Sequence, residues 1–105
     1  MPFFTLSEDG GVLTITLNNP FELNDFRSST FRDALYEAVR DHDHPRVVLD
    51  IGASDYLSSS GVTTLVGLKR RVEAQNGTLV LTHVHAVVLN LLRVMKLTQY
   101  FTIED

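Results

Sequence analysis

Val47-Val48-Leu49-Asp50-Ile51, a short loop, and then Leu57-Ser58-Ser59-Ser60-Gly61-Val62-Thr63-Thr64-Leu65 decide how this chain folds. The first five residues form a nearly continuous apolar run rich in β-branched side chains, which predicts a central strand covered on both faces. From Val62 to Val72 a helical stripe follows: Val62, Leu65, Val66 and Val72 share a face, with Lys69, Arg70 and Glu73 largely off it. Three hydroxyls and a glycine lie at the junction. A helix begins with unpaired backbone N–H groups, and serine oxygens placed there accept from them. The junction can therefore cap the helix or accept a phosphate, and spacing alone leaves both readings open.

Outward from this junction the pattern alternates. Phe3 to Glu8 reads as a short strand, and Asp9-Gly10-Gly11 as a turn. In Val12 to Asn18, Leu13, Ile15 and Leu17 alternate with Thr14, Thr16 and Asn18, the mark of a half-buried strand. The two strands predict an antiparallel hairpin. Asn19-Pro20 breaks the pattern. Asn24 or Asp25 caps a helix running to about Arg40, with Phe31, Leu35 and Ala38/Val39 on one face, and Asp41-His42-Asp43-His44-Pro45 ends it. Beyond the serine helix, Asn76-Gly77 is a stop signal. Thr78 to Thr82 reads as a strand. Val84, Val88, Leu91, Leu92 and Met95 mark a third helix, and Tyr100 to Ile103 a last short strand. An initial hairpin followed by alternating helices and strands predicts an α/β fold, one mixed β-sheet with helices packed against it. Leu49, Ile51, Leu65, Leu79, Leu81, Leu91 and Leu92 are expected in its core.

Composition narrows the function. The 105 residues suit a single domain, 1–105, and 44% hydrophobic with 21% charged residues is a globular balance. A net charge of −4 argues against direct nucleic-acid binding and anionic membranes, which usually meet a basic face. Without cysteine there are no disulfides, thiolate metal sites or thiol nucleophiles. No apolar run approaches the roughly 20 residues of a membrane span. Met1-Pro2-Phe3-Phe4 lacks the basic region of a secretory signal. The expectation is a soluble cytoplasmic protein with no membrane insertion.

The other chemical candidates are weak. Asp41-His42-Asp43-His44 and His83-Val84-His85 carry ligand-type side chains, but neighbours in a loop do not converge on one ion, so no metal site is expected. Asp50 ends its strand without an acidic Mg²⁺-binding partner on a neighbouring strand end, since Glu8 and Asp9 sit at the hairpin turn. It is expected instead to bond backbone N–H groups of the loop from Gly52 to Asp55. There is no Gly-x-Ser-x-Gly elbow, Walker motif or dinucleotide fingerprint. No catalytic residue and no cofactor is assigned; a binding module is expected rather than an enzyme.

Val48-Leu49-Asp50-Ile51 followed by Tyr56-Leu57-Ser58-Ser59-Ser60-Gly61-Val62-Thr63-Thr64-Leu65 resembles the signature of STAS domains, the anti-sigma factor antagonists. Their pattern is a hydrophobic strand ending in Asp, a short loop, Asp-Ser-Ser-Gly-hydrophobic, then a helix. Gly77-Thr78-Leu79-Val80-Leu81 resembles the family's glycine-led strand, Val87 to Leu97 its next helix, Tyr100-Phe101-Thr102-Ile103 the strand after that, and Glu22-Leu23-Asn24 its Leu-Asp segment. The resemblance implies that Ser59, in the first turn of the helix or at its cap, is the phosphoacceptor of a partner that is both serine kinase and anti-sigma factor. The unphosphorylated antagonist binds that partner and releases a sigma factor; the phosphorylated form does not bind. It further implies partner contacts at Asn24, Ser58, Ser59, Ser60, Gly61 and on the exposed side of the helix, including Thr63 and Thr64. The alternative implied by the family is a non-switching STAS adaptor subunit in a signalling complex or lipid-transport assembly. Ser58 and Asn24 stand where the family usually has acids, which lowers the repulsion a phosphate would meet. Many members continue into another helix after the last strand, so the sheet face beneath is expected to be more exposed or covered by a partner.

Overall fold

Gly10 and Gly11, at φ 57° and 80°, turn the chain between β1 (Phe4–Asp9) and β2 (Val12–Leu17). Both turn positions need positive φ, which glycine adopts without steric cost, and that turn matches the natural twist of two paired strands. The strands pair antiparallel from Phe4 opposite Leu17 to Asp9 opposite Val12. The computed structural model describes residues 3–18, 29–40 and 46–104. The expected cap at Asn24 or Asp25, the Glu22-Leu23-Asn24 segment and the Asp41-His42-Asp43-His44 cluster lie outside these residues.

After the hairpin come α1 (Ser29–Arg40), β3 (Arg46–Asp50), α2 (Ser59–Ala74), β4 (Thr78–Thr82), α3 (Ala86–Val94) and β5 (Thr102–Glu104). The five strands lie side by side in chain order, and β2 through β5 are parallel. Parallel neighbours require crossovers, and crossovers of this kind are right-handed. Three successive crossovers stepping in one direction put all three helices on the same face of the sheet.

The burial pattern agrees. Leu13, Ile15 and Leu17 alternate with partly exposed residues along β2, and Val47 and Leu49 along β3. The register aligns Leu13 with Val47 and Leu79, and Ile15 with Leu49 and Leu81. These rows meet Phe31, Leu35 and Val39 of α1, Leu65, Leu68 and Val72 of α2, and Val88 and Leu92 of α3 in one core. A side chain of this kind contributes about 1.5–3 kcal/mol when fully buried. Of the expected core residues, Leu49, Ile51, Leu65, Leu79, Leu81 and Leu92 are buried, whereas Leu91 is only partly so.

The expectation that β3 is covered on both faces is overturned. Among the described residues only one face carries helices, and Val48 on the other is partly exposed. Val80, on that same open face of β4, is nevertheless fully buried. The register explains it. Arg46 stands beside Thr78 and Glu104 beside Thr82, so their ion pair, 2.8 Å long, crosses β4 diagonally over Val80. An arginine whose methylene stem lies across a sheet can cover an apolar neighbour while its charge stays in water.

Several boundaries shift. β1 and β5 begin one and two residues later than expected, and Tyr100 and Phe101 precede β5. Val84 precedes α3 and Met95 follows it, exposed rather than on its buried stripe. The stop after α2 is made by Asn76, whose φ of 63° is left-handed, while the Gly77 N–H returns to the Val72 carbonyl at 2.9 Å.

Candidate functional site

Helix α2 starts three residues earlier than its apolar stripe suggests. Ser58 is the N-cap: its backbone is extended, its carbonyl accepts from the Val62 N–H at 2.9 Å, and its Oγ accepts from the Gly61 N–H at 3.1 Å. The Ser60 hydroxyl lies 3.0 Å from the Ser58 hydroxyl. These two serines are thus tied into the helix start. Ser59 is the first helical residue; it is exposed, and among the described residues its hydroxyl has no hydrogen-bond partner. Three adjacent serines carry two different roles, two structural and one open to solvent.

The next turn separates two threonines that the sequence treats alike. The Thr63 hydroxyl donates to the Ser59 carbonyl at 3.1 Å and stays exposed. The Thr64 hydroxyl donates to the Ser60 carbonyl at 3.0 Å, with Thr64 only 2% exposed. The expectation that Thr64 lies on the exposed side is therefore corrected: it sits a quarter-turn around the helix, against the core. Gly61 is likewise buried. Ser59 and Thr63 are exposed along one side of the helix start, with Ser58 and Ser60 half-buried beside them; Asn24 lies outside the described residues.

Because the cap belongs to Ser58, Ser58→Ala is expected to destabilise the domain by about 1 kcal/mol, and Ser59→Ala by only a few tenths. Urea unfolding of both variants measures this directly. A larger loss for Ser59→Ala than for Ser58→Ala would contradict the capping geometry.

The loop leading into α2 is pinned from beneath. Asp50 Oδ1 accepts from the Gly52 N–H at 2.9 Å, as expected, and Oδ2 lies 3.1 Å from His83 Nδ1. His85 Nε2 lies 2.7 Å from the Gly52 carbonyl oxygen. His83 and His85, expected as solvated loop residues, are exposed, but His83 anchors to the end of β3 and His85 to the β3–α2 loop. They border a cleft of about 550 Å³ at the carboxyl ends of β2, β3 and β4. Sequence reasoning missed this pairing because Asp50 and His83 become neighbours only when β3 and β4 align. Among the described residues no cluster of three or more ligand-type side chains could hold a metal ion. None of the described helices is long and apolar enough to cross a membrane.

From α1, Tyr36 reaches across to α2. Its hydroxyl donates to the Thr64 carbonyl at 3.0 Å, and the Arg71 guanidinium stacks over its ring, 3.9 Å from the centroid. Burial raises the Tyr36 phenol above its ordinary value, against the lowering effect of Arg71 and Arg32. The phenol therefore stays a protonated donor at neutral pH. The tyrosine ties the first turns of α2 to α1.

The sequence matches the STAS domain family over residues 4–105. No curated protein matches it. The crystal structure of TM1081 from Thermotoga maritima superposes with a TM-score of 0.84 at 16% identity, covering 97% of this chain and 86% of that one. An anti-sigma-factor antagonist (STAS) domain protein from Planctomyces limnophilus gives 0.81 at 16% identity, covering 95% and 87%. The Bacillus cell fate determinant SpoIIAA, in its phosphorylated form, gives 0.67 at 17% identity, covering 97% and 91%. At these identities the likeness is one of fold.

Proposed function

We propose that this chain, which belongs to the STAS domain family, is an anti-sigma factor antagonist that binds an anti-sigma factor with serine kinase activity and is switched off by phosphorylation of Ser59. One observation carries the reading. Among the described residues, Ser59 alone of the three serines presents an exposed hydroxyl without a hydrogen-bond partner at the start of a helix, beside neighbours whose hydroxyls already complete the cap. A kinase can modify it without dismantling the helix. That SpoIIAA, a protein of the same fold, has been solved in a phosphorylated form supports the reading.

The physics of the switch is local. Phosphate adds about −1.5 to −2 charges. The helix N-terminus favours an anion, and no acidic residue stands in the first turn of α2 to oppose it. Phosphorylation should therefore leave the fold intact and act on whatever docks over Ser59 and Thr63. An interface shaped for a neutral hydroxyl must desolvate the new charge or open.

The second reading, a non-switching STAS adaptor in a signalling complex or lipid-transport assembly, draws on the exposed apolar Val87, Val94 and Met95 of the α3 region. Intact-mass measurement after co-expression with the native kinases separates the two. The switch predicts a single added phosphate that maps to Ser59 and disappears in Ser59→Ala. An unmodified chain, or phosphate on another residue, leaves the adaptor as the better reading.

A further inference from the structure

The groove between α1 and α2 stands apart from the rest of this acidic surface. Two adjoining hollows, of about 620 and 370 Å³, share Asp33, Tyr36 and Arg71 along their floor and walls. Arg32 and Arg40 reach them from α1, and Arg70 and Arg71 from α2. Four of the chain's nine cations thus line one groove of a protein whose net charge is −4. Among the described residues the carboxylates facing them are Asp33 and Glu37, each held by its own helix neighbour: Asp33 by Arg32 and Glu37 by Arg40, both at 3.3 Å. The α2 arginines are different. Arg71 is spread flat over the Tyr36 ring and bonded to the Gly67 carbonyl at 3.2 Å, with no carboxylate among the described residues. Arg70 has no ion pair among the described residues and is exposed.

The guanidiniums of Arg70 and Arg71, without a carboxylate among the described residues, are complementary to carboxylates, which they bind through paired N–H donors. Stacking on Tyr36 fixes the Arg71 plane in advance, so less freedom is lost on binding. We propose that the α1–α2 groove docks a carboxylate-rich segment of a protein partner. A polyanionic nucleic acid would meet the repulsion of the whole acidic chain beyond the groove. An anionic membrane would need a broad basic face instead of a confined one. For the owner of the segment this rests on the partner reading above, and it joins that site: Thr63 lines the groove with Arg32 and Arg70. Ser59 is one helical turn, about 5.4 Å, along the axis from Thr63. A phosphate on Ser59 would place negative charge at the mouth of the groove and repel the acidic segment.

The test uses the unphosphorylated protein and a labelled peptide rich in Glu, with a Gln counterpart as the neutral probe. Binding is followed by fluorescence anisotropy and mapped by amide chemical-shift changes. The acidic peptide is expected to move the amides of Arg32, Tyr36, Gly67 and Arg70, and the Gln peptide none. Arg70→Glu should weaken binding roughly tenfold, whereas Arg93→Glu on α3 should leave it unchanged, since only the first removes a groove contact. Equal losses in the two variants, absence of binding, or shifts confined to another face would overturn the proposal. So would an oligonucleotide or phosphatidylserine vesicles that bound the same arginines more tightly than the peptide. No kinase takes part, so failure here leaves the Ser59 switch standing, and absence of phosphate on Ser59 leaves the groove standing.

Discussion

Ser59→Asp is expected to weaken the complex with the proposed anti-sigma factor partner by roughly thirtyfold or more, about 2 kcal/mol, while leaving the domain as stable as wild type. The two halves have separate causes. Stability survives because the carboxylate stands at the first helical position of α2, where the helix dipole favours negative charge by about 0.3–1 kcal/mol. Capping is also untouched, since the Gly61 N–H is held by Ser58 and not by Ser59. Affinity falls because the exposed crest of the site acquires a charge that an interface fitted to a hydroxyl must bury or expel. Ser59→Ala should bind as tightly as the unmodified protein and stay bound in the presence of the kinase and ATP. Calorimetry of wild type, Ser59→Ala and Ser59→Asp at one salt concentration gives the comparison. Equal affinity of all three would reject the switch; a Ser59→Asp protein that unfolds at lower urea would reject the structural account of it.

Gly67→Val should have the largest effect on stability outside the buried core, a loss of about 2–3 kcal/mol. Gly67 lies where Tyr36 crosses α2. A Cβ there would overlap the tyrosine hydroxyl and stand 3.0 Å from Cζ. The ring must swing away, giving up its bond to the Thr64 carbonyl and its stack with Arg71. These contacts are worth about 1 kcal/mol and about 0.5–1 kcal/mol, and crowding adds the rest. Valine's better helix propensity returns only a few tenths. Gly67→Ala should lose less, because alanine gains up to about 1 kcal/mol of propensity against the same clash. For a domain of this size each kcal/mol moves the Tm by about 4–8 °C, so the valine variant should melt at least 8 °C lower. Pairing it with Tyr36→Ala should recover part of the loss. Gly67→Val melting with wild type would show that Tyr36 does not occupy this position.

The local elements were legible in the residues themselves. Glycine at both turn positions dictates a hairpin, the alternation of Leu13, Ile15 and Leu17 marks a strand with one buried face, and Phe31, Leu35 and Val39 mark a helix, because these signals depend only on backbone geometry and side-chain period. The serine junction was legible in outline for the same reason. Its division of labour was not. Which serine caps depends on where the helix starts, and α2 begins at Ser59 because Ser58 can reach the Gly61 N–H, a fact of backbone dihedrals. Thr63 and Thr64 are adjacent and chemically alike, yet the rotation of α2 against the core exposes one and buries the other. Apolar content suggested that β3 is buried twice over, but strand order put the described helices on one face, and a long-range ion pair crosses the other. The Asp50–His83 pair and the four-arginine groove arise the same way, from residues distant in the chain. Sequence by itself determined what each segment becomes and the chemical character of the site, through interactions within a few residues. Tertiary structure alone decided which threonine is exposed and where the positive charge collects, because each depends on how rigid elements are rotated and aligned against one another.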